Sequence, residues 1–109
     1  FESSEVANPP LAAKDIIHSY HLYPLQINFE TAKLSRSALF KTMESEGIGL
    51  QVHYIPIHWQ SYYQRHYHFD RHQFPNAVQF YNREVSLPIY PDLKESEQNK
   101  VIQALVKHL

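Results

Sequence analysis

The sequence predicts an α+β domain: a small sheet of about three strands, in the order β-α-β-α-β-α, covered by helices. Two observations predict it. Apolar residues switch along the chain between helical spacing and short β-like runs. The only two glycines, Gly47 and Gly49, stand together where a helix-like run meets a strand-like one. A length of 109 residues at 43% hydrophobic content suits one domain with one core.

Residues 1–15 read as a linker or tail. Ser3, Ser4, Asn8, Pro9 and Pro10 carry no sustained period, and the double proline favours extended backbone. The chain opens on Phe1-Glu2-Ser3-Ser4 without a methionine, which reads as a fragment or processed product. The domain proper is expected over residues 16–109. From Ile16 to Asn28 the composition is β-like. Pro24 interrupts it and lacks an amide donor, so an edge strand or a bulge is expected there.

Residues 31–46 read as a helix, with Leu34, Ala38, Leu39 and Met43 on one stripe. Gly47 falls where a left-handed C-terminal cap belongs. Residues 49–55 then read as a strand ended by Pro56. Residues 59–73, rich in Tyr, His and Gln, read as an irregular helical segment. Pro75 suits the first turn of a helix over about 75–83. Val85 to Tyr90 reads as a strand closed by Pro88 and Pro91. A last helix starts at Asp92 or Lys94, with Val101, Ile102, Leu105 and Leu109 on its apolar face.

Composition excludes several functions. A net charge of −1 gives no broad electrostatic case for nucleic acid or an anionic membrane. Eight histidines make the charge sensitive to pH, turning the chain basic near pH 6. With no cysteine there are no disulfides and no thiolate metal sites, which fits a cytoplasmic protein. No apolar run is long enough for a transmembrane helix, and the N-terminus lacks a signal-peptide layout.

Four constellations could carry chemistry. His53, His58, His66, His68 and His72 cluster, but their spacing matches no zinc pattern and Asp70 is the only nearby carboxylate. Surface or hydrogen-bonded histidines explain them more simply. No serine sits in a nucleophile elbow, and two glycines do not make a phosphate loop. Tyr62, Tyr63, Tyr67 and Phe69 interleave with Arg65 and Arg71. Ten basic against eleven acidic residues favours a core or interface over base stacking. Last, His53-Tyr54-Ile55-Pro56-Ile57-His58 places polar rings at a strand end. Pocket wall and half-buried surface explain that segment equally well.

Several motifs occur in order along residues 16–109. They are His18-Ser19-Tyr20-His21-Leu22-Tyr23, Arg36-Ser37-Ala38-Leu39-Phe40, the run Gly47 to His58, Phe74-Pro75, Ser86-Leu87-Pro88-Ile89-Tyr90-Pro91, and Glu97-Gln98 followed by Val101-Ile102 and Ala104-Leu105. This series resembles the C-terminal small domain of the DegT/DnrJ/EryC1/StrS aminotransferases, most of all the branch of the pseudaminic-acid pathway. The resemblance implies a pyridoxal-phosphate enzyme that transfers an amino group, typically from glutamate, to a UDP-4-keto-6-deoxy sugar. It implies a cytoplasmic homodimer whose large domain, absent here, carries the Schiff-base lysine and most cofactor contacts. Lys14, Lys33, Lys41, Lys94, Lys100 and Lys107 fall in a tail or on helices, so this chain alone is expected to be inactive and to bind no cofactor or metal.

By the same resemblance, His53, Tyr54, His58 and Tyr62 are substrate-binding. Arg36 would hold its helix to a carboxylate. The chain departs from the family at Ser61, where proline is usual, and between Tyr67 and Gln73, which lacks the usual glycine. Lys94 replaces a threonine cap, at a cost of about 1 kcal/mol. The competing reading is a free-standing α+β module that binds or oligomerises without catalysis.

Overall fold

A computed structural model of the chain describes residues 4–109. Three antiparallel strands form one sheet in the order β1-β2-β3: β1 Ala7–Asn8, β2 Tyr23–Ile27 and β3 Glu84–Leu87. Four helices accompany it: α1 Arg36–Ser45, α2 Ser61–Tyr67, α3 Pro75–Arg83 and α4 Glu95–His108. The α+β class and the three-strand count are as expected, but the strands themselves differ.

The first difference lies in the expected tail, of which residues 1–3 fall outside the described residues. Ala7 pairs with Ile27 and Asn8 with Gln26, and Ala7 is buried. Ser4 Oγ accepts the Val6 and Ala7 amides and turns the chain into the strand. Pro9 and Pro10 then end β1, because they offer no amides to continue the ladder.

That short β1 also explains Pro24. Its strand is central, not an edge. The Asn28 amide donates to the Val6 carbonyl at 2.7 Å, so the even-numbered amide positions of β2 point toward β1. β1 stops opposite Gln26. The missing Pro24 amide therefore points past the end of β1, and no sheet bond is lost.

Helix α1 starts later than the apolar stripe suggests. Ser35 Oγ accepts the Ala38 amide and caps it, leaving residues 31–34 outside the helix. At its other end Gly47 has φ +75°, its amide donates to Glu44 O at 2.9 Å, and the Ile48 amide donates to Met43 O at 2.9 Å. Those two bonds are a Schellman cap, and the buried Ile48 and Met43 supply its hydrophobic contact.

Residues 49–55 do not form the expected strand. Gln51 makes a single antiparallel bridge to Ser86. Two residues on, the His53 amide donates to the Glu84 side chain at 2.9 Å instead of to a backbone carbonyl, so the ladder ends.

Odd-numbered sheet residues and two helices build the core. Ala7, Leu25, Ile27 and Val85 meet Leu39 and Met43 of α1 and Val101, Ala104 and Leu105 of α4. Each fully buried leucine there contributes roughly 2–3 kcal/mol of transfer free energy. Glu46, just after α1, binds Lys107 at 3.1 Å and His108 at 2.6 Å at the end of α4. Among the described residues Arg36 meets no carboxylate. Its guanidinium donates to the Tyr81 and Glu84 carbonyls at the end of α3 and lies 4.7 Å from the Tyr81 ring centre. A cation there complements the carbonyl end of the helix.

The described chain is not tightly rounded. Its radius of gyration is 15.6 Å, against about 13 Å for a compact domain of roughly 100 residues. Residues 9–22 form an irregular arm on which Leu11, Ile16 and Ile17 are exposed.

Candidate functional site

The chain leaving Gly49 positions the site. After the bridge at Gln51 it crosses to the face of β3 that carries Glu84 and Ser86. It then turns at Pro56 into a 3-10 turn, Ile57–Trp59, and enters α2. An apolar basin of about 520 Å³ opens beside this path. Tyr54, Ile57, His58, Tyr63, Phe69 and Phe74 are among its lining residues. Tyr54 is 69% exposed, so its ring is free to meet a ligand.

His58 forms part of the floor. It is buried, its Nε2–H donates to the Arg71 carbonyl at 3.0 Å, and its ring meets Phe74 edge-on at 4.9 Å. Trp59 Nε1–H donates to the same carbonyl at 2.9 Å, and the Arg71 guanidinium lies 4.8 Å from the Trp59 ring centre. Gln64 adds hydrogen bonds to the carbonyls of His58 and Phe69. These bonds fix the 68–74 loop against the 3-10 turn.

Of the four substrate residues expected from the sequence, Tyr54 and His58 share the basin. His53 does not line the basin but sits beside it, its ring 4.5 Å from the lining Tyr54, and its own polar contacts run to Glu84 and Ser86 of β3. Tyr62 lies on α2 against Tyr63 and His66, at 5.3 and 4.5 Å, and does not line the basin.

Sequence reasoning missed Glu84 and Ser86. Glu84 is fully buried, and its two oxygens accept from the His53 amide at 2.9 Å and from Ser86 Oγ at 2.5 Å. Ser86 Oγ is also 2.8 Å from His53 Nδ1. The signal was the alternation Glu84-Val85-Ser86-Leu87, which puts two polar side chains on one face of a strand. Gln26, directly across from Glu84, adds a buried amide nitrogen without a partner among the described residues.

The groups whose acidity departs clearly from the ordinary lie away from the basin. His108 and Lys107 hold the Glu46 carboxyl below its usual range. Burial, helped by the neighbouring Tyr20 phenol, pushes the Tyr23 hydroxyl up. Among the described residues no group of three His, Asp or Glu side chains converges on a metal position, and no helix is long and apolar enough to cross a membrane.

The fold is thus an α+β layer, a three-stranded sheet covered by helices, with a ring-lined basin beside it. The match to known proteins is specific. The model of the DegT/DnrJ/EryC1/StrS aminotransferase family matches residues 2–106, and the chain belongs to that family. It is 37% identical over 97 residues to the spore coat polysaccharide biosynthesis protein SpsC of Bacillus subtilis, covering 88% of this chain and 25% of that protein. It is 36% identical over 107 residues to an uncharacterized protein of Methanocaldococcus jannaschii, covering 98% of this chain and 28% of the other.

Among solved structures it superposes with a TM-score of 0.82, at 27% identity, on PseC of Helicobacter pylori, an aminotransferase involved in the biosynthesis of pseudoaminic acid. That match covers 99% of this chain and 29% of PseC. The chain thus spans about a quarter of the length of the relatives it matches.

The residues here do not fit pyridoxal phosphate. The cofactor needs an amine for its aldehyde carbon and a charged partner for its ring nitrogen. The basin is lined by neither lysine nor carboxylate, and all six lysines are exposed on the surface.

Proposed function

We propose that this chain serves as the C-terminal small domain of a pyridoxal-phosphate nucleotide-sugar aminotransferase. Its substrate would be a UDP-4-keto-6-deoxy sugar, with the amino group coming from glutamate. The chain's part is to wall the substrate side of the active site. The observation that carries this reading is the basin itself: an exposed Tyr54 ring over a pinned aromatic floor, in a chain of this aminotransferase family. Ring faces and apolar walls suit a sugar and a base, and a few polar tips orient them.

Tyr54 offers a hydrogen bond in the basin and His53 one beside it, His58 shapes the floor, and Tyr62 acts from α2 at the outer edge. The lysine and the cofactor contacts belong to the remainder of the protein. The exposed arm residues Leu11, Ile16 and Ile17 fit burial against that remainder. The whole protein works as a cytoplasmic homodimer.

The test is Tyr54→Ala in the full-length protein, assayed with UDP-4-keto-6-deoxy-N-acetylhexosamine. Tyr54 makes no core contact, so folding should survive. The expected result is a Michaelis constant raised roughly tenfold, the loss of one stacked or hydrogen-bonded ring. Unchanged KM and turnover would sink the reading.

A further inference from the structure

The Glu84–Ser86–His53 chain has a direction. A serine hydroxyl has one hydrogen to give and accepts with its lone pairs. Ser86 Oγ gives that hydrogen to Glu84 Oε1 at 2.5 Å. With the Ser86 hydrogen given to a Glu84 carboxylate, the ring nitrogen is the donor in the contact from His53 Nδ1 to Ser86 Oγ, at 2.8 Å. Neutral His53 therefore carries its proton on Nδ1. Its Nε2 is left as a bare acceptor with no partner among the described residues, on a residue that is only half-buried. The His53 backbone is held as well, since its amide donates to the other oxygen of Glu84. Glu84 and Ser86 are both buried, so the orientation is set from inside the domain.

We infer that Glu84 and Ser86 are positioning residues: they lock His53 in the Nδ1–H form, so that Nε2 accepts a hydrogen bond from a hydroxyl or amide donor of the ligand in the basin beside it. Its ligand half rests on the nucleotide-sugar reading above. The arrangement makes His53 unlike His58, whose Nε2 is already spent as a donor to Arg71. One histidine supports the loop, and the other is kept open toward a donor. A carboxyl–hydroxyl–imidazole order fixes a tautomer just as a carboxylate does when it binds imidazole directly.

The experiment is nitrogen NMR on protein labelled with 15N-histidine, at a pH of about 8 where histidine is ordinarily neutral. His53→Gln assigns the resonance among the eight histidines. The expected spectrum has a protonated Nδ1 and an unprotonated Nε2 at His53. Ser86→Ala should remove that preference and move the proton to Nε2. A proton on Nε2 in the unaltered protein would overturn the inference, and so would a tautomer indifferent to Ser86→Ala.

The ligand half is read separately, by adding UDP-N-acetylglucosamine to the full-length protein and following the Nε2 resonance. A shift confined to Nε2 supports it. A silent Nε2 with the Nδ1–H form intact overturns the ligand role and counts against the nucleotide-sugar reading, while the positioning by Glu84 and Ser86 stands. In full-length kinetics Ser86→Ala should raise KM roughly tenfold, the equivalent of one hydrogen bond, with a smaller change in kcat.

Discussion

Replacing each glycine by alanine separates two effects that usually come mixed. Gly47 sits at φ +75°. A Cβ there costs about 1–2 kcal/mol from its own backbone alone. Space is not the obstacle, because the nearest atom such a Cβ would meet is Lys100 Nζ at 3.8 Å, an ordinary contact. Against the cost stands a gain of about 0.4–1 kcal/mol, since alanine narrows the unfolded ensemble. The net expectation for Gly47→Ala is a loss of about 1 kcal/mol.

Gly49 has no left-handed backbone, and a Cβ there would meet nothing within 4 Å. Only the unfolded-state term remains, so Gly49→Ala should stabilise by about 0.4–1 kcal/mol. The two variants should thus differ by about 1.5 kcal/mol, near 6–12 °C in melting temperature for a domain of this size. Urea unfolding followed by fluorescence of Trp59, the only tryptophan, measures it. That ring lies 5.4 Å from Tyr81, so its environment reports on the fold. Equal stabilities for the two variants, or Gly49→Ala as the weaker, would refute the assignment of the left-handed cap to Gly47.

Three further outcomes follow. Lys94 stands at the N-cap of α4, where an ammonium accepts no amide and Glu97 alone reaches back, to the Lys94 amide at 3.0 Å. Lys94→Thr should raise stability by about 1 kcal/mol, read as a higher melting temperature. Glu46 has its acidity increased by His108 and Lys107, so its folded value lies below the ordinary 4.5. Its contribution is complete above pH 4.5 and fades as pH falls through the folded value. Plotting the urea midpoint of Glu46→Gln against that of the unaltered chain should show a gap above pH 4.5 that closes in more acid solution. Arg36→Lys should cost about 2 kcal/mol in the same unfolding assay, because an ammonium does not reproduce the planar contact with Tyr81 or the fork onto two carbonyls.

Much of the fold was legible because its signals are local. Pro75 at the first turn of α3 and Gly47 at the end of α1 each act through their own φ, which no partner needs to supply. The stripes that buried Leu39, Met43, Val101 and Leu105 are likewise visible in spacing alone. Family membership was legible too, as motifs in a fixed order over most of the chain. The 49–55 segment was not. Its composition favours a strand, but strand formation needs a neighbour to take its hydrogen bonds, and Glu84 takes the His53 amide first. Ala7 and Asn8 erred in the opposite direction: a two-residue run has no period to detect, yet β2 offers it an open edge.

The sequence by itself determined the α+β class, the position of the left-handed cap and the family, since each rests on residue type and spacing along the chain. Only the tertiary structure decided what the histidines do. His53 and His58 are five residues apart in nearly the same local setting. One is bound to Ser86 and the other to the Arg71 carbonyl, 33 and 13 residues away. A ring nitrogen's role is set by whichever group faces it across space, and that group is chosen by folding.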